Sequence, residues 1–303
     1  MAFNMPLSLS VGGGKGGTGK SFFALNLGIA LSESGKNVIL CDLDLAGGAN
    51  LHTFLGIPYP EKTLEDFLLS KSPLESLLLP TPVKGLRLIA GALSNLSDKL
   101  KYFEKTRLQR SLNLLRTDYL IVDLGAGIST FTLDLFLWAQ KKIVVITPEA
   151  TTLENVYRFL RGAYFRSIRK AANERVRRLI DEFFLDHNFS LKKPQELLSR
   201  LRLFDEAFAQ RFITSLKGFD LNVVLNQVKR PEERELGLSF KMVCYKYFGI
   251  MPKYLGYIPF DMKVSFSINK GRPFLMEYPY TEVAQCMREI ASMIISGKEM
   301  ALT

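Results

Sequence analysis

The sequence predicts an α/β fold, in which helices flank a doubly wound, mostly parallel sheet and a helical segment is inserted. Short apolar segments of strand length alternate with helical patterns, an order typical of parallel sheets. A glycine-rich loop follows the first of these segments, and one long stretch carries helical periodicity alone. We interpret residues 1–303 as a single domain, with the helical insertion covering about residues 156–218.

The first three predicted elements surround the glycine-rich loop. Residues 6–11 alternate in polarity and end in glycines, which indicates a strand. Residues 20–34 are rich in apolar side chains, which indicates a buried helix, and Gly35 ends it. Residues 37–41 form a short apolar strand that runs directly into Asp42.

The remaining strands are predicted from five short apolar segments, residues 86–90, 119–122, 143–146, 221–225 and 256–258. Helical patterns, such as those of residues 106–115 and 283–295, separate most of them, so the strands should run parallel. In sheets of this kind the ligand binds beyond the carboxyl ends of the strands. The motifs described below fall at those ends.

One stretch interrupts the alternation of strands and helices. Residues 147–220 contain no strand signal, and their apolar residues recur at helical spacing. We therefore expect two or three extra helices in this stretch. The apolar positions are Ile168, Ala172, Val176, Leu179 and Phe183, followed by Leu197, Leu201 and Phe208.

The composition is that of a globular chain with an excess of positive charge. Hydrophobic residues make up 47% of the chain, which is ample for a packed core and excludes disordered and fibrous classes. The chain has 40 Lys and Arg against 30 Asp and Glu, a formal charge of +10. Such an excess fits a phosphate-rich ligand, anionic lipid or nucleic acid, and composition leaves these open.

The sequence gives no sign of export, membrane insertion or a cysteine-based metal site. Cys41, Cys244 and Cys286 are too few and too scattered for a disulfide framework or a metal clamp. Neither a signal sequence nor a run of about 18 apolar residues is found. We therefore expect a cytoplasmic protein in a reducing compartment.

Residues 14–21 match the phosphate-binding pattern G-x-x-x-x-G-K-[ST] at every fixed position. Glycines let successive backbone N–H groups point at phosphate oxygens, and the helix that follows adds the positive end of its dipole. Lys20 should neutralise the β- and γ-phosphates, while the Ser21 hydroxyl should bind Mg²⁺. The pattern predicts ATP and Mg²⁺ as ligands, the alternative being a turn that binds nothing. The loop consists of Gly14, Lys15, Gly16, Gly17, Thr18, Gly19, Lys20 and Ser21.

Lys15 is the unusual residue of this loop, because cradling a phosphate does not require a second lysine. Lys15 is either an exposed surface residue without a role in binding or a side chain that reaches a second nucleotide across a dimer interface. With Lys15 included, the loop resembles the deviant Walker A loop of the MinD/ParA ATPases. Four further motifs follow in that family's order: Asp42-Leu43-Asp44, residues 119–123 with 125–128, residues 223–226, and residues 256–261 with 267–273.

The resemblance implies an ATP-dependent sandwich dimer in which each motif has a role. Lys15 of each subunit would contact the phosphates bound by the other subunit, like an arginine finger supplied in trans. Asp44 would orient the attacking water. Asp42 and Asp123 would hold Mg²⁺ or its waters.

The resemblance also assigns the base and points to a branch of the family. Asn226 would read the adenine, and Pro259 lies in the stretch that closes over it. Two positions depart from the family: residues 124–127 lack the usual proline, and Phe22 stands where a Thr or Ser is common. Neither removes a phosphate or metal ligand. Residues 46–51 resemble the flagellar-number regulators of the FlhG and FleN branch, which are close to MinD.

Two segments bear on partners. The stretch from Arg158 to Arg178 holds eight Lys or Arg and one acidic residue. It is either a solvated helix surface or a docking site for DNA, anionic lipid or an acidic protein, and any DNA binding would be nonspecific and salt-sensitive. The segment from Ile294 to Thr303 carries a single basic residue, so it does not support peripheral membrane association through the tail.

Three kinds of function agree with these motifs. We expect a regulatory ATPase that positions or counts a cellular structure, hydrolyses ATP slowly and is activated by a partner protein. The alternatives are a metabolic amidating synthase of the same superfamily and a scaffold that only binds ATP. Such synthases usually carry a glutaminase domain with a nucleophilic Cys and a His, and the sequence suggests no such pairing.

Overall fold

The computed structural model describes residues 5–46, 48–70, 72–96, 102–185 and 194–300, which form one eight-stranded sheet with helices on both faces. The strand order is β3-β4-β2-β5-β1-β6-β7-β8, and every pairing is parallel except that of β3 with β4. The strands are β1 Leu7–Gly12, β2 Val38–Leu43, β3 Leu78–Pro80, β4 Leu86–Ile89, β5 Tyr119–Leu124, β6 Lys141–Ile146, β7 Leu221–Val228 and β8 Lys253–Pro259.

The predicted fold class is confirmed, and each of the seven predicted strands lies where the sequence placed it. β3 was not expected, because its three residues are too few to show a period. It pairs antiparallel with β4 at one edge of the sheet. The other strands read as apolar runs because helices cover both of their faces.

Thirteen α-helices lie among the described residues. α1 and α13 pack on one face of the sheet, and α4 to α10 supply most of the other face. The helices are α1 Lys20–Glu33, α2 Leu51–Phe54, α3 Leu64–Ser70, α4 Tyr102–Leu114, α5 Thr130–Trp138, α6 Ala150–Ala171, α7 Glu174–Leu185, α8 Pro194–Phe204, α9 Glu206–Leu216, α10 Leu236–Phe248, α11 Lys263–Asn269, α12 Phe274–Glu277 and α13 Glu282–Ser296.

Strand alternation divides the core into two layers. In β5, Leu120 and Val122 belong to the hydrophobic cluster on the α5 side, while Tyr119 and Ile121 belong to the cluster on the α1 side. Successive side chains point to opposite faces of a strand, so one apolar run contributes to both layers. Packing in both layers fixes the positions of the central strands and of the polar residues that follow them.

Four helices, α6 to α9, lie between β6 and β7. One helix is enough for a parallel crossover, so this connection holds more helices than the crossover requires. Their buried side chains, among them Phe159, Ile168 and Phe212, belong to the same cluster as β5 and β6. The predicted boundary at residue 156 lies within α6, and residues 186–193 of the insertion lie outside the described residues.

The chain after α13 returns along the last strand of the sheet. Gly297 turns the chain with a positive φ of 70°. The Met300 N–H then donates to the Tyr254 carbonyl of β8 at 2.9 Å. The Glu299 carboxylate accepts from Lys241 Nζ of α10 at 2.7 Å. The segment Gly297–Met300, which we call the β8 cover, therefore lies against the edge of β8; residues 301–303 lie outside the described part.

Candidate functional site

The glycine-rich loop joins β1 to α1 at the carboxyl edge of the sheet, where the sequence predicts it. Gly17 and Gly19 have φ values of 78° and 86°, a left-handed conformation that favours glycine. Gly14 and Gly16 lie beside them, Gly14 half-buried against α6 and Gly16 exposed. The loop leaves its open side free of side chains at residues 16 and 17, which suits a phosphate group.

Lys20 lies inside the loop that precedes it. Its residue is 7% exposed, and its Nζ donates to the Lys15 carbonyl at 3.0 Å. Burial lowers the pKa of Lys20, while the carboxylates of Asp123 and Asp44 act to raise it. A buried ammonium group at the mouth of a backbone N–H cradle is the arrangement that binds the phosphates of a nucleotide.

Lys15 points away from the phosphate side of its own loop. Its Nζ lies 3.1 Å from Thr151 Oγ1 and 3.4 Å from a carboxylate oxygen of Glu149, at the start of α6. The Lys15 side chain is 41% exposed. An exposed ion pair of this kind contributes little to stability, so Lys15 is free to change partners.

Asp42 and Asp123 face each other at the ends of neighbouring strands. They are paired in the register of β2 with β5. Asp42 accepts hydrogen bonds from the backbone N–H groups of Asp44 and Leu51, both at 3.2 Å. Burial raises the pKa of Asp42 to about 7 and that of Asp123 to about 8, and the Asp42 charge adds to the increase for Asp123. The two carboxyl groups thus form a buried acidic pair, whose negative charge is unfavourable without a cation.

These residues fit a bound Mg²⁺. The Asp123 Oδ1 atom is buried without a hydrogen-bond partner, and the Ser21 hydroxyl bonds the same carboxylate. Carboxylate and hydroxyl oxygens are the donors that Mg²⁺ takes from proteins, usually with phosphate and water completing the shell. Within the described ranges, no group of three or more His, Cys, Asp or Glu is arranged to hold a metal ion alone.

Asp44 lies between Gly48 of its own loop and Gly125, which follows β5. Its Oδ1 accepts from the Ala46 N–H at 3.1 Å. A Cβ atom at Gly125 would lie 2.6 Å from Asp44 Oδ1, and one at Gly48 would lie 2.5 Å from Oδ2. Glycine at both positions therefore makes room for this carboxylate. Gly47, inside the segment that resembles the flagellar-number regulators, lies outside the described residues.

A cavity of about 450 Å³ opens beside the loop and contains the two residues predicted to contact the base, Asn226 and Pro259. Asn226 is buried, and its Nδ2 donates to the Thr18 carbonyl at 2.8 Å, so its side chain supports the loop. Several apolar and amide residues that were not predicted as site residues also line the cavity. Phe260 and Ile268 lie within the motifs of residues 256–261 and 267–273, and Phe22 directly follows the phosphate loop. Phe54, Gln227 and Val264 lie outside the motifs.

The basic stretch from Arg158 to Arg178 makes its contacts within the chain. Arg166 and Lys170 both bind the buried Asp134, with shortest distances of 2.7 and 2.6 Å. Others pair on the surface, for example Arg169 with Asp181. Much of the excess charge of this stretch is therefore compensated by neighbouring acidic residues.

No helix within the described ranges is both long enough and apolar enough to span a bilayer.

The sequence matches a known family over most of its length. The model of the CobQ/CobB/MinD/ParA nucleotide binding domain matches residues 9–274. An uncharacterised ATP-binding protein of Methanocaldococcus jannaschii is 25% identical over 296 residues, which cover 97% of this chain and 89% of that protein. The antiactivator FleN of Pseudomonas aeruginosa is 25% identical over 292 residues, which cover 95% of this chain and 86% of FleN.

The fold is also that of a solved member of this family. The septum site-determining protein MinD of Pyrococcus horikoshii, in complex with Mg-ADP, superposes with a TM-score of 0.64. The two chains are 21% identical, and the superposition covers 97% of this chain and 98% of MinD. The family match contains the phosphate loop and both buried aspartates. The chain therefore belongs to the MinD/ParA family of P-loop, ATP-binding nucleotide domains.

Proposed function

We propose that this protein is an ATP-binding and ATP-hydrolysing molecular switch, which dimerises with ATP and regulates the position or number of a cellular structure through protein partners. The observation that carries the proposal is the buried Lys20, in a P-loop that lies against Asp42, Asp44 and Asp123. The similarity to proteins named antiactivator and septum site-determining protein supports a regulatory role.

The loop and its neighbours would bind the nucleotide in a single orientation. The backbone of residues 14–19 and Lys20 bind the β- and γ-phosphates, while the cavity that contains Asn226 and Pro259 takes the base. Ser21, Asp42 and Asp123 would hold Mg²⁺ or its waters, and the ion would neutralise phosphate charge. Asp44 holds the attacking water at the γ-phosphate.

Dimerisation would place Lys15 on the phosphates of the second subunit. To do so Lys15 leaves Thr151 and Glu149, and the exposure of this contact makes the exchange inexpensive. In the dimer, Lys15 stabilises negative charge that develops on the other subunit's γ-phosphate. ATP then sets the oligomeric state, and partners respond to that state.

Two lysine variants test this division of roles. Lys15→Ala should keep ATP affinity but lose ATP-driven dimerisation and hydrolysis, whereas Lys20→Ala should lose ATP affinity itself. Each loss should amount to about 2–4 kcal/mol, since a charged contact is removed. Sedimentation and ATP binding measure the two effects, with Lys84→Ala as a control at the opposite edge of the sheet. A Lys15→Ala dimer that hydrolyses ATP normally would refute the role in trans.

Nucleotide choice is a separate test. We propose ATP over GTP, because Asn226, near the end of β7, lines the base cavity and the sequence lacks the Asn-Lys-x-Asp guanine motif after it. Thermal shifts at matched ATP and GTP concentrations measure the preference. Equal or larger stabilisation by GTP would contradict it.

A pull-down experiment can identify the protein partner. Asp44→Ala should trap the ATP-bound dimer, since the binding contacts stay in place while water is no longer oriented. A pull-down from the host with Asp44→Ala, compared with the monomeric Lys15→Ala, selects proteins that bind the dimer. Binding to DNA, anionic vesicles and acidic proteins through the stretch from Arg158 to Arg178 is assayed alongside; its internal ion pairs reduce the charge that it offers.

The amidating synthase is the weaker candidate. Cys41, Cys244 and Cys286 are all buried, and burial raises the pKa of each thiol, which is unfavourable for a nucleophile. Three free, buried thiols suit a reducing compartment such as the cytoplasm. Phosphate release from ATP without any amine or carboxylate substrate would favour the switch over the synthase.

A further inference from the structure

Two consecutive amide side chains at the end of β7 bind the phosphate loop. Asn226 Nδ2 donates to the Thr18 carbonyl at 2.8 Å, and Gln227 Nε2 donates to the Gly17 carbonyl at 3.2 Å. The two acceptors belong to successive peptide groups of the loop. More than 200 residues of chain separate the donors from the acceptors, as the sequence separations of 208 and 210 show.

An irregularity in the strand is what allows both side chains to face the loop. Neighbouring residues of a regular strand point to opposite faces of the sheet. Here the register of β7 with β8 shifts between Leu225 and Val228, as in a β-bulge. Gln227 lies in this irregular stretch with a φ of 60°, and among the described residues no other non-glycine residue has a positive φ.

The left-handed conformation of Gln227 needs a structural explanation. A side chain makes this backbone conformation unfavourable, and glycine adopts it freely. If the bulge served the fold alone, glycine would serve it better. Backbone strain that persists in a folded protein is typical of functional sites, where the surrounding structure holds it in place. What a glutamine adds at this position is its amide, which reaches the loop.

We propose that Asn226 and Gln227 form an amide clamp, which positions the N–H groups of the loop for phosphate binding. The C=O and N–H bonds of a trans peptide point in opposite directions. Holding the Gly17 and Thr18 carbonyls toward β7 therefore turns the Thr18 and Gly19 N–H groups the other way, toward the phosphate side. Gln227 is thus a positioning residue, and Asn226 has a second role besides its place in the base cavity.

The clamp also explains a tight contact in the loop. A Cβ atom at Gly19 would collide with Asn226 Nδ2, so the loop and this amide approach as closely as glycine permits. Gln227 itself is half-buried and lines both the nucleotide cavity and a smaller neighbouring cavity of about 90 Å³. Gln227 therefore contacts the loop at the border between these two cavities.

The inference rests on the proposed function, because it takes a nucleotide phosphate as the ligand, and the test separates the two. Binding of ATP, ADP and adenosine is measured for the wild type, Gln227→Gly and Gln227→Glu. Gln227→Gly should weaken ATP and ADP by about fivefold, the value of one neutral hydrogen bond, and leave adenosine unchanged. Gln227→Glu should weaken ATP further, because a carboxylate cannot donate and repels both the carbonyl and the phosphates.

A stability measurement distinguishes the clamp from a purely structural role. Gln227→Gly should melt no lower than the wild type without nucleotide, because it relieves the left-handed strain. Unchanged ATP affinity in Gln227→Gly would overturn the clamp, whatever the fate of Gln227→Glu. An equal loss for ATP and adenosine would overturn it too, by assigning Gln227 to the base. A wild-type protein that binds no ATP would instead contradict the proposed function.

Discussion

Without Mg²⁺ and nucleotide, the protein should become less stable as the pH rises from 6 to 8. Asp42 and Asp123 have folded-state pKa values of about 7 and about 8, above the 3.8 of a free side chain. The folded protein therefore binds more protons than the unfolded chain in this range. Their contribution to stability is complete below about pH 4 and is lost as the pH rises through 7 and 8.

The size of this effect follows from the two pKa values. Between pH 6 and pH 8, deprotonation of Asp123 costs about 2 kcal/mol of unfolding free energy, and that of Asp42 about 1 kcal/mol. Asp123→Asn removes the larger part, because the amide cannot ionise. His52 titrates with the opposite sign, since burial lowers its pKa. The comparison of wild type with Asp123→Asn cancels that contribution.

Urea unfolding in EDTA at pH 6, 7 and 8 measures the effect. The wild type should lose about 3 kcal/mol across the range and Asp123→Asn about 1 kcal/mol. Glu61→Gln, which alters an exposed carboxylate, should behave like the wild type. Adding Mg²⁺ with ADP should remove most of the decline, since the cation compensates the buried negative charge. A flat wild-type profile, or an Asp123→Asn profile as steep as the wild type, would refute this reasoning.

Two further predictions concern single contacts. Gly125→Ala should place a methyl group against the Asp44 carboxylate and cut ATP hydrolysis at least about tenfold with little change in ATP affinity, which turnover and binding assays report. Normal turnover in this variant would argue against the role of Asp44. Asp134→Ala should lower the free energy of unfolding by about 1–3 kcal/mol, because it leaves two cationic partners unpaired. Asp181→Ala, which frees only the exposed Arg169, should cost less than about 1 kcal/mol, and equal losses would contradict the distinction.

Much of the site could be predicted because its residues follow strand ends directly. Asp42, Asp123 and Asn226 each end or follow an apolar run, and parallel strands bring their carboxyl ends to one edge of the sheet. The phosphate loop is similarly local, since its glycines set the backbone within a few residues. Short sequence patterns therefore predict both the fold and the residues that the fold brings together at this edge of the sheet.

What could not be predicted depends on contacts between distant parts of the chain. The Lys15 side chain contacts Thr151 and Glu149, which are more than 130 residues further along the sequence, and no local sequence pattern indicates these contacts. The stretch from Arg158 to Arg178 appears as free charge in the sequence, yet Asp134, on the preceding helix, binds two of its side chains. The left-handed conformation of Gln227 could not be predicted either, because its side-chain amide contacts the Gly17 carbonyl only in the folded sheet.

The β8 cover has a practical consequence for handling the protein. An uncovered edge strand offers its backbone groups to any neighbouring chain, and this is a common start of fibre formation. Here Gly297–Met300 protects β8 through several contacts. The Met300 N–H donates to the Tyr254 carbonyl, the Tyr254 N–H donates to the Glu299 carboxylate, and Lys253 Nζ donates to the Gly297 carbonyl. The Glu299–Lys241 ion pair holds the segment against α10. A tag fused directly behind residue 300 would pull on that short segment and expose the strand, whereas a tag at the amino end would leave it in place. Aggregation during storage should therefore differ between the two fusions, although their phosphate loops are the same.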